Sequence, residues 1–173
     1  MKDAPAPVLL AGDPLLRQKA VAASDPTDPA LHMLAEAMLV TMLASEGVGI
    51  AAPQIGHSLR LIIIASKPNS RYPDAPVMET LVMVNPEIIR ASDGLVAEEE
   101  GCLSVPGVRL QVLRHQSVEV RWQTLDGDSR QQEMNGFISR IVQHELDHLE
   151  GILFPDRVAE QSSSSDFLLI MTD

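Results

Sequence analysis

Between Gly136 and Phe154 the chain reads GFISRIVQHELDHLEGILF, and no other stretch constrains the fold as much. Phe137, Ile138, Ile141, Val142 and Leu149 recur at three- and four-residue steps, the period of a half-buried α-helix. Asn135-Gly136 opens this helix and Gly151 closes it. Inside it His144 and His148 stand four residues apart, so the helical turn projects them side by side, with Glu145 beside the first. Two imidazoles and a neighbouring carboxylate are the beginnings of a metal site with an acid/base group at hand. The plainer alternative is a helix whose two histidines happen to share a face. A metal site needs a third ligand.

The whole chain sets bounds on where that ligand can come from. Its 173 residues, 45% of them apolar, suit one domain spanning 1–173 with a real core, ending in a short acidic tail at 158–173. Twenty-four acidic residues against 13 Lys and Arg give a net charge of −11, which disfavours a run of phosphate contacts and argues against direct nucleic-acid binding. No run approaches the roughly 18 apolar residues of a membrane span. The opening MKDAPAPVLLAGDP lacks the apolar core of a signal peptide, so the expected location is the cytoplasm. The single cysteine, Cys102, has no partner for an internal disulfide and is a buried thiol, a nucleophile or a metal ligand.

Patterning points to an α+β fold, with antiparallel sheets packed around the late metal-binding helix and one further helix near the N-terminus. That first helix is capped by Asp28, carries Pro29 in its first turn, shows a stripe of Leu31, Leu34, Met38 and Met42, and is ended by Gly47. Strand-like runs follow at 59–65, 81–90, 94–101 and 117–124, the last alternating Val118, Val120 and Trp122 with polar residues. Asp126-Gly127 makes a hairpin turn into a short strand before Met134. SKPNSRYPDAPVMET, with three prolines, reads as a surface loop.

Downstream of His148 the acidic candidates for a third ligand are Glu150, Asp156, Glu160, Asp166 and Asp173. Glu150 points off the ligand face, and the others fall on a short, irregular tail. Upstream, EEEGCLSVPG offers a strand that ends at Cys102, with Gly101 allowing close backbone approach and a Pro-Gly turn after it. A further stretch, GVGIAAPQIG (47–56), superficially matches a dinucleotide fingerprint, but it follows a helix and Pro53 interrupts the helix it should open. It reads as an extended segment over 47–53 able to pair with a peptide, followed by Gln54, a neutral amide suited to holding a developing oxyanion.

GVGIAAPQIG, EGCLS and QHELDH, in this order, resemble the three signature motifs of the peptide deformylases, and the likeness extends over roughly residues 8–157. The resemblance implies that Cys102, His144 and His148 hold one divalent metal ion, Fe2+ physiologically or else Zn2+. It implies that Glu145 is the general acid/base and that Gln54 and the Leu103 backbone amide form the oxyanion hole. Val48 and Gly49 would bond the substrate backbone. Glu100, Gly101, Phe137 and Ile141 would lie in or beside the methionine pocket, and Arg109 near the next residue of the peptide. The implied substrates are formylated nascent peptides. One departure stands out: the tail after Arg157, VAEQSSSSDFLLIMTD, has no basic residue, which removes the basic C-terminal helix that ribosome docking would use. FLLIM (167–171) suits a short covering strand, a partner contact or a frayed end. A zinc endopeptidase and a catalytically silent binding protein remain the competing classes.

Overall fold

The computed structural model describes residues 4–162. Helix α1 (Pro29–Ala44) begins where the Asp28 carboxylate accepts from the Ala30 N–H, and Pro29 sits in the first turn, where its missing N–H costs nothing. Leu31, Leu34, Met38 and Met42 are all buried, as the stripe requires. The helix stops before Gly47, and the reversal is made by Glu46 in the left-handed region.

Strands β1 (Gly49–Ala51), β2 (Leu61–Ile64), β3 (Leu81–Ala91), β6 (Ser117–Gln123) and β7 (Ser129–Asn135) form one antiparallel sheet in the order β1-β2-β3-β6-β7. Strand β2 explains why this sheet sits centrally. Its four residues are fully buried because alternate side chains serve different layers. Leu61 and Ile63 pack with α1, whereas Ile62 and Ile64 join Met83, Val118, Val120 and Trp122 under helix α2 (Gly136–Leu149). The expected Asp126-Gly127 reversal joins β6 to β7.

Strands β4 (Leu95–Cys102) and β5 (Val105–His115) make a separate two-stranded ladder. Here the structure corrects the reading of Pro106-Gly107 as the turn. The reversal is made by Leu103 and Ser104, and Cys102 pairs directly with Val105. Because Gly101 pairs with Arg109, residues 106–108 form a bulge within β5. The 47–53 segment is also shorter than expected. Only Gly49–Ala51 is extended, and Ala52–Ile55 turn as a 3-10 helix that brings Gln54 inward.

The chain after α2 is not irregular. Phe154–Ser162 form helix α3, fastened to β5 by the Gln161 amide, which bonds both the N–H and the carbonyl of Leu113. The expected tail at 158–173 is therefore helical through Ser162, while FLLIM lies outside the described residues. The turn that links α2 to α3 depends on Gly151. Its φ is +74°, and a Cβ there would stand 2.5 Å from the Arg17 carbonyl oxygen, a backbone atom with nowhere to go. Gly151→Ala should lower stability by about 1–3 kcal/mol, the usual cost of a residue forced into this region. Thermal melts check this, and an unchanged melting temperature would mean that the segment at Arg17 yields freely.

Candidate active site and metal centre

Helix α2 faces the end of β4, and their meeting point gathers the sequence-selected residues. Cys102, His144 and His148 each offer one donor atom, and the three donors lie within 4.8 Å of one another. The Cys102 Sγ is 3.3 Å from His148 Nε2. The histidine side chains stand edge to face, 5.2 Å apart, as four-residue helical spacing dictates. None of the other sequence candidates joins this cluster among the described residues. Glu150 pairs with Lys19 and Arg60, Asp156 with Arg17 and Glu160 with Arg157. Asp166 and Asp173 lie outside the described residues.

A carboxylate behind the cluster fixes how it is presented. Glu100 Oε1 lies 2.9 Å from His144 Nδ1, so the other ring nitrogen is left to face Cys102. Glu100 is in turn gripped by Arg114 through two bonds, 2.8 and 2.9 Å, and by Arg140 at 2.7 Å. Arg114 continues to Asp147, which also takes Arg157. Burial pushes the Glu100 carboxyl upward, but Arg114 and His144 outweigh it and hold the group well below the usual carboxylate range. This residue also lines the cavity beside the cluster, but its carboxylate is committed to the arginines and His144.

Gln54 is almost fully buried, and its orientation is set by the backbone. Its Oε1 accepts from the Ala51 N–H at 2.9 Å, which turns the Nε2 donor toward Ser104 Oγ at 3.2 Å and Cys102 Sγ at 3.7 Å. Glu145 takes the opposite position to Glu100 electrostatically. It is buried, its Oε2 has no hydrogen-bond partner among the described residues, and burial is the main cause that raises its pKa to about 7. The room for it is made by Gly49, where a Cβ would come within 2.5 Å of the Glu145 Oε1. Such a carboxyl can take up and give back a proton near neutral pH.

The donor set suits a divalent cation. One thiolate and two imidazoles, with no fourth protein donor in the cluster among the described residues, leave a coordination position open, the pattern of catalytic sites more than structural ones. The thiolate is compatible with Fe2+ as well as Zn2+. His148 Nδ1 has no hydrogen-bond partner among the described residues, so the outer support of this site falls on His144 alone.

Val48, Gly49, Gly101, Leu103, Phe137 and Ile141 line one pocket beside Gln54, Cys102, His144 and Glu145. Arg109 instead lines the adjoining groove, paired with Glu99. Sequence reasoning missed Arg71 and Tyr72, which the loop after β2 folds over the pocket, with Tyr72 against Phe137 at 5.4 Å. It also missed Arg114, Arg140 and Ser104. Arg114 carried a usable signal: it follows Leu110 and Val112 at two-residue steps on β5, the strand that pairs with the one holding Glu98, Glu99 and Glu100.

Comparison with known proteins agrees with this geometry. The family model described as polypeptide deformylase matches residues 5–164. The chain belongs to the peptide deformylase family. A relative from Shewanella oneidensis named peptide deformylase 2 is 50% identical over 153 residues, covering 88% of this chain and 84% of the relative. The class I type b peptide deformylase from Acinetobacter baumannii, solved with Met-Ala-Ser bound, superposes with a TM-score of 0.87 at 50% identity, covering 91% of this chain and 99% of that one. The Thermotoga maritima peptide deformylase gives 0.80 at 32% identity, over 90% of this chain and 98% of that one. Members of this family are enzymes, and the antiparallel α+β architecture here is theirs.

Glu145 gives a pH test independent of turnover. A carboxyl raised in the folded state contributes stability that is fully present below its unfolded value of 4.5 and lost as pH rises through about 7. In chelated, metal-free protein the Glu145→Gln variant should therefore gain on wild type in thermal melts across that window and hold a constant lead above it. A constant difference at every pH would show that Glu145 is not the group with the raised value.

Proposed function

We propose that this chain is a metal-dependent amide hydrolase that removes the formyl group from the N-terminal formyl-methionine of newly made polypeptides. The observation that carries this reading is the convergence, in one pocket, of a buried carboxyl poised near neutrality, an oriented amide donor and the Cys102–His144–His148 cluster. Cys102, His144 and His148 would hold one divalent ion, Fe2+ being the metal expected in the cell and Zn2+ an alternative. Such an ion supplies Lewis acidity, polarising the formyl oxygen and acidifying water at neutral pH.

The chain's own residues do the rest. Glu145 accepts the proton of the attacking water at a carboxylate oxygen and delivers it to the departing amine nitrogen. The Gln54 Nε2 and the Leu103 N–H donate to the formyl oxygen as negative charge grows on it. Water adds to the formyl carbon, the carbon–nitrogen bond breaks, and formate and a free N-terminal amine result. Cys102 is a ligand in this account, because its sulfur sits within the three-donor cluster, 3.3 Å from His148 Nε2.

Substrate placement follows from the same pocket. Val48 and Gly49 offer backbone groups at the entrance to β1, and the methionine side chain would rest on Gly101, Phe137 and Ile141, with Tyr72 closing over Phe137. The Met-Ala-Ser found in the Acinetobacter structure is the deformylated end that such a pocket would hold. We place the reaction in the cytoplasm, within one catalytic domain. Helix α3 carries a single basic residue, Arg157.

The deciding measurement is formate release from formyl-Met peptides by anaerobically prepared protein. Cleavage of internal bonds in unformylated peptides would overturn the reading in favour of an endopeptidase. Gln54→Leu should lower kcat by roughly 10²–10³ with little change in KM, because its amide acts on charge that exists mainly in the transition state. A near-normal kcat with a raised KM would remove Gln54 from the oxyanion hole. Cys102→Ser should fold but lose metal on dialysis, since a hydroxyl seldom ionises to replace the thiolate. Full metal occupancy in that variant would exclude Cys102 as a ligand.

A further inference from the structure

Past the pocket at Cys102 a groove runs on over Gly101, Leu103, Val105 and Val108, and Arg71 lines both pocket and groove. Two guanidinium groups converge there. Arg71 Nη2 and Arg109 Nη1 each lie 3.4 Å from the point that a Cβ on Gly101 would occupy. Both rest on Tyr72, with Arg71 Cζ 5.5 Å and Arg109 Cζ 5.0 Å from the ring centroid. Tyr72 is braced in turn by Phe137. A guanidinium held on an aromatic face keeps its in-plane N–H fork free for a carboxylate, and less freedom is lost when one binds.

The two arginines are not equally engaged. Arg109 donates to Glu99 at 2.6 Å, whereas Arg71 has no ion-pair partner among the described residues. Three other acids have partners of their own. Glu98 pairs with Arg140, Glu100 with Arg114 and Arg140, and Glu46 accepts from Ser70. A chain of net charge −11 thus carries, at the mouth of its site, a cation without an ion-pair partner among the described residues.

We propose that Arg71, with Arg109 beside it, forms a carboxylate-binding subsite for the part of the peptide that follows the methionine. This rests on the deformylase reading and narrows it. The groove leaves the pocket at Gly101, so the residues after a methionine seated against Phe137 and Ile141 pass beneath the two guanidinium groups. The favoured ligands are an Asp or Glu side chain at the second or third position, or the terminal carboxylate of a short peptide. Glu99, more than half exposed, can release Arg109 to share the incoming carboxylate. Partly exposed ion pairs have modest strength, so the gain in kcat/KM should be about two- to fivefold, carried by KM and reduced at high salt.

The experiment compares formate release from amidated formyl-Met-Ala-Ala, formyl-Met-Glu-Ala, formyl-Met-Ala-Glu and formyl-Met-Ala-Lys, with the free-acid form of the first. Wild type, Arg71→Ala and Arg71→Glu are assayed at low and high salt. The proposal expects the glutamate peptides to outrun the neutral one in wild type, the advantage to vanish in Arg71→Ala, and the lysine peptide to be preferred by Arg71→Glu. A faster free acid than amide, without a side-chain effect, would locate the carboxylate at the chain end and still support the subsite. Equal rates on all peptides, or an acidic preference that survives in Arg71→Glu, would overturn the subsite alone. Formate from none of them would overturn the deformylase reading and the subsite with it.

Discussion

The Glu100 carboxylate is the joint on which the site hangs. It is buried at the end of β4, bound by Arg114 from β5 and by Arg140 and His144 from α2, so the β4–β5 hairpin and a helix later in the chain meet at two oxygen atoms. Removing one member of such a buried network leaves a charge without a partner, which typically costs about 3–5 kcal/mol. The same network holds the imidazole of His144. Stability of the β4–β5 ladder and presentation of the metal donors therefore share one set of bonds, and neither can be loosened without the other.

Two glutamates, Glu100 and Glu145, show how neighbouring carboxyls are driven apart in acidity. Glu100 is surrounded by cations and stays ionised. Glu145, one residue beyond His144, faces Gly49 and Ile141 with one oxygen unpartnered, and burial raises it toward neutrality. Separated acidities of this kind assign the roles of fixed charge and proton carrier. The separation is a product of packing, because the chemical group is the same in both.

Much of this was legible in the sequence. The period of α2, the four-residue histidine spacing and the lone cysteine are local signals, and each survived in the structure. The errors came where tertiary packing overruled local chemistry. Pro106-Gly107 has the composition of a turn, but the pairing of Gly101 with Arg109 makes it a bulge within β5. The segment after Arg157 looked polar and irregular, yet α3 forms because Phe154 is buried against Val112 and Cys102 while Gln161 substitutes for a neighbouring strand on Leu113. Arg71 and Tyr72 were hidden for a different reason. A proline-rich loop gives no period from which the direction of a side chain could be read.

Helix α2 also explains why so polar a segment can be so deeply buried. Ser139 through Leu149 are all buried, including Arg140, Gln143, His144, Glu145, Asp147 and His148. An interior position for such residues is tolerable only when their polar atoms are used. The helical period sorts them into neighbouring faces: Arg140 and Asp147 turn to the arginine–glutamate network, His144 and His148 to Cys102, and Ile141 with Glu145 to Gly49 on β1. On α2 the two buried side-chain atoms without a partner among the described residues are Glu145 Oε2 and His148 Nδ1, one beside the three-donor cluster and one within it. A shift of one residue along the helix would rotate the histidines away from Cys102 and put Leu146 or His148 in the place of Asp147 against Arg114 and Arg157, so the register of α2 is fixed by its charges as well as by its core.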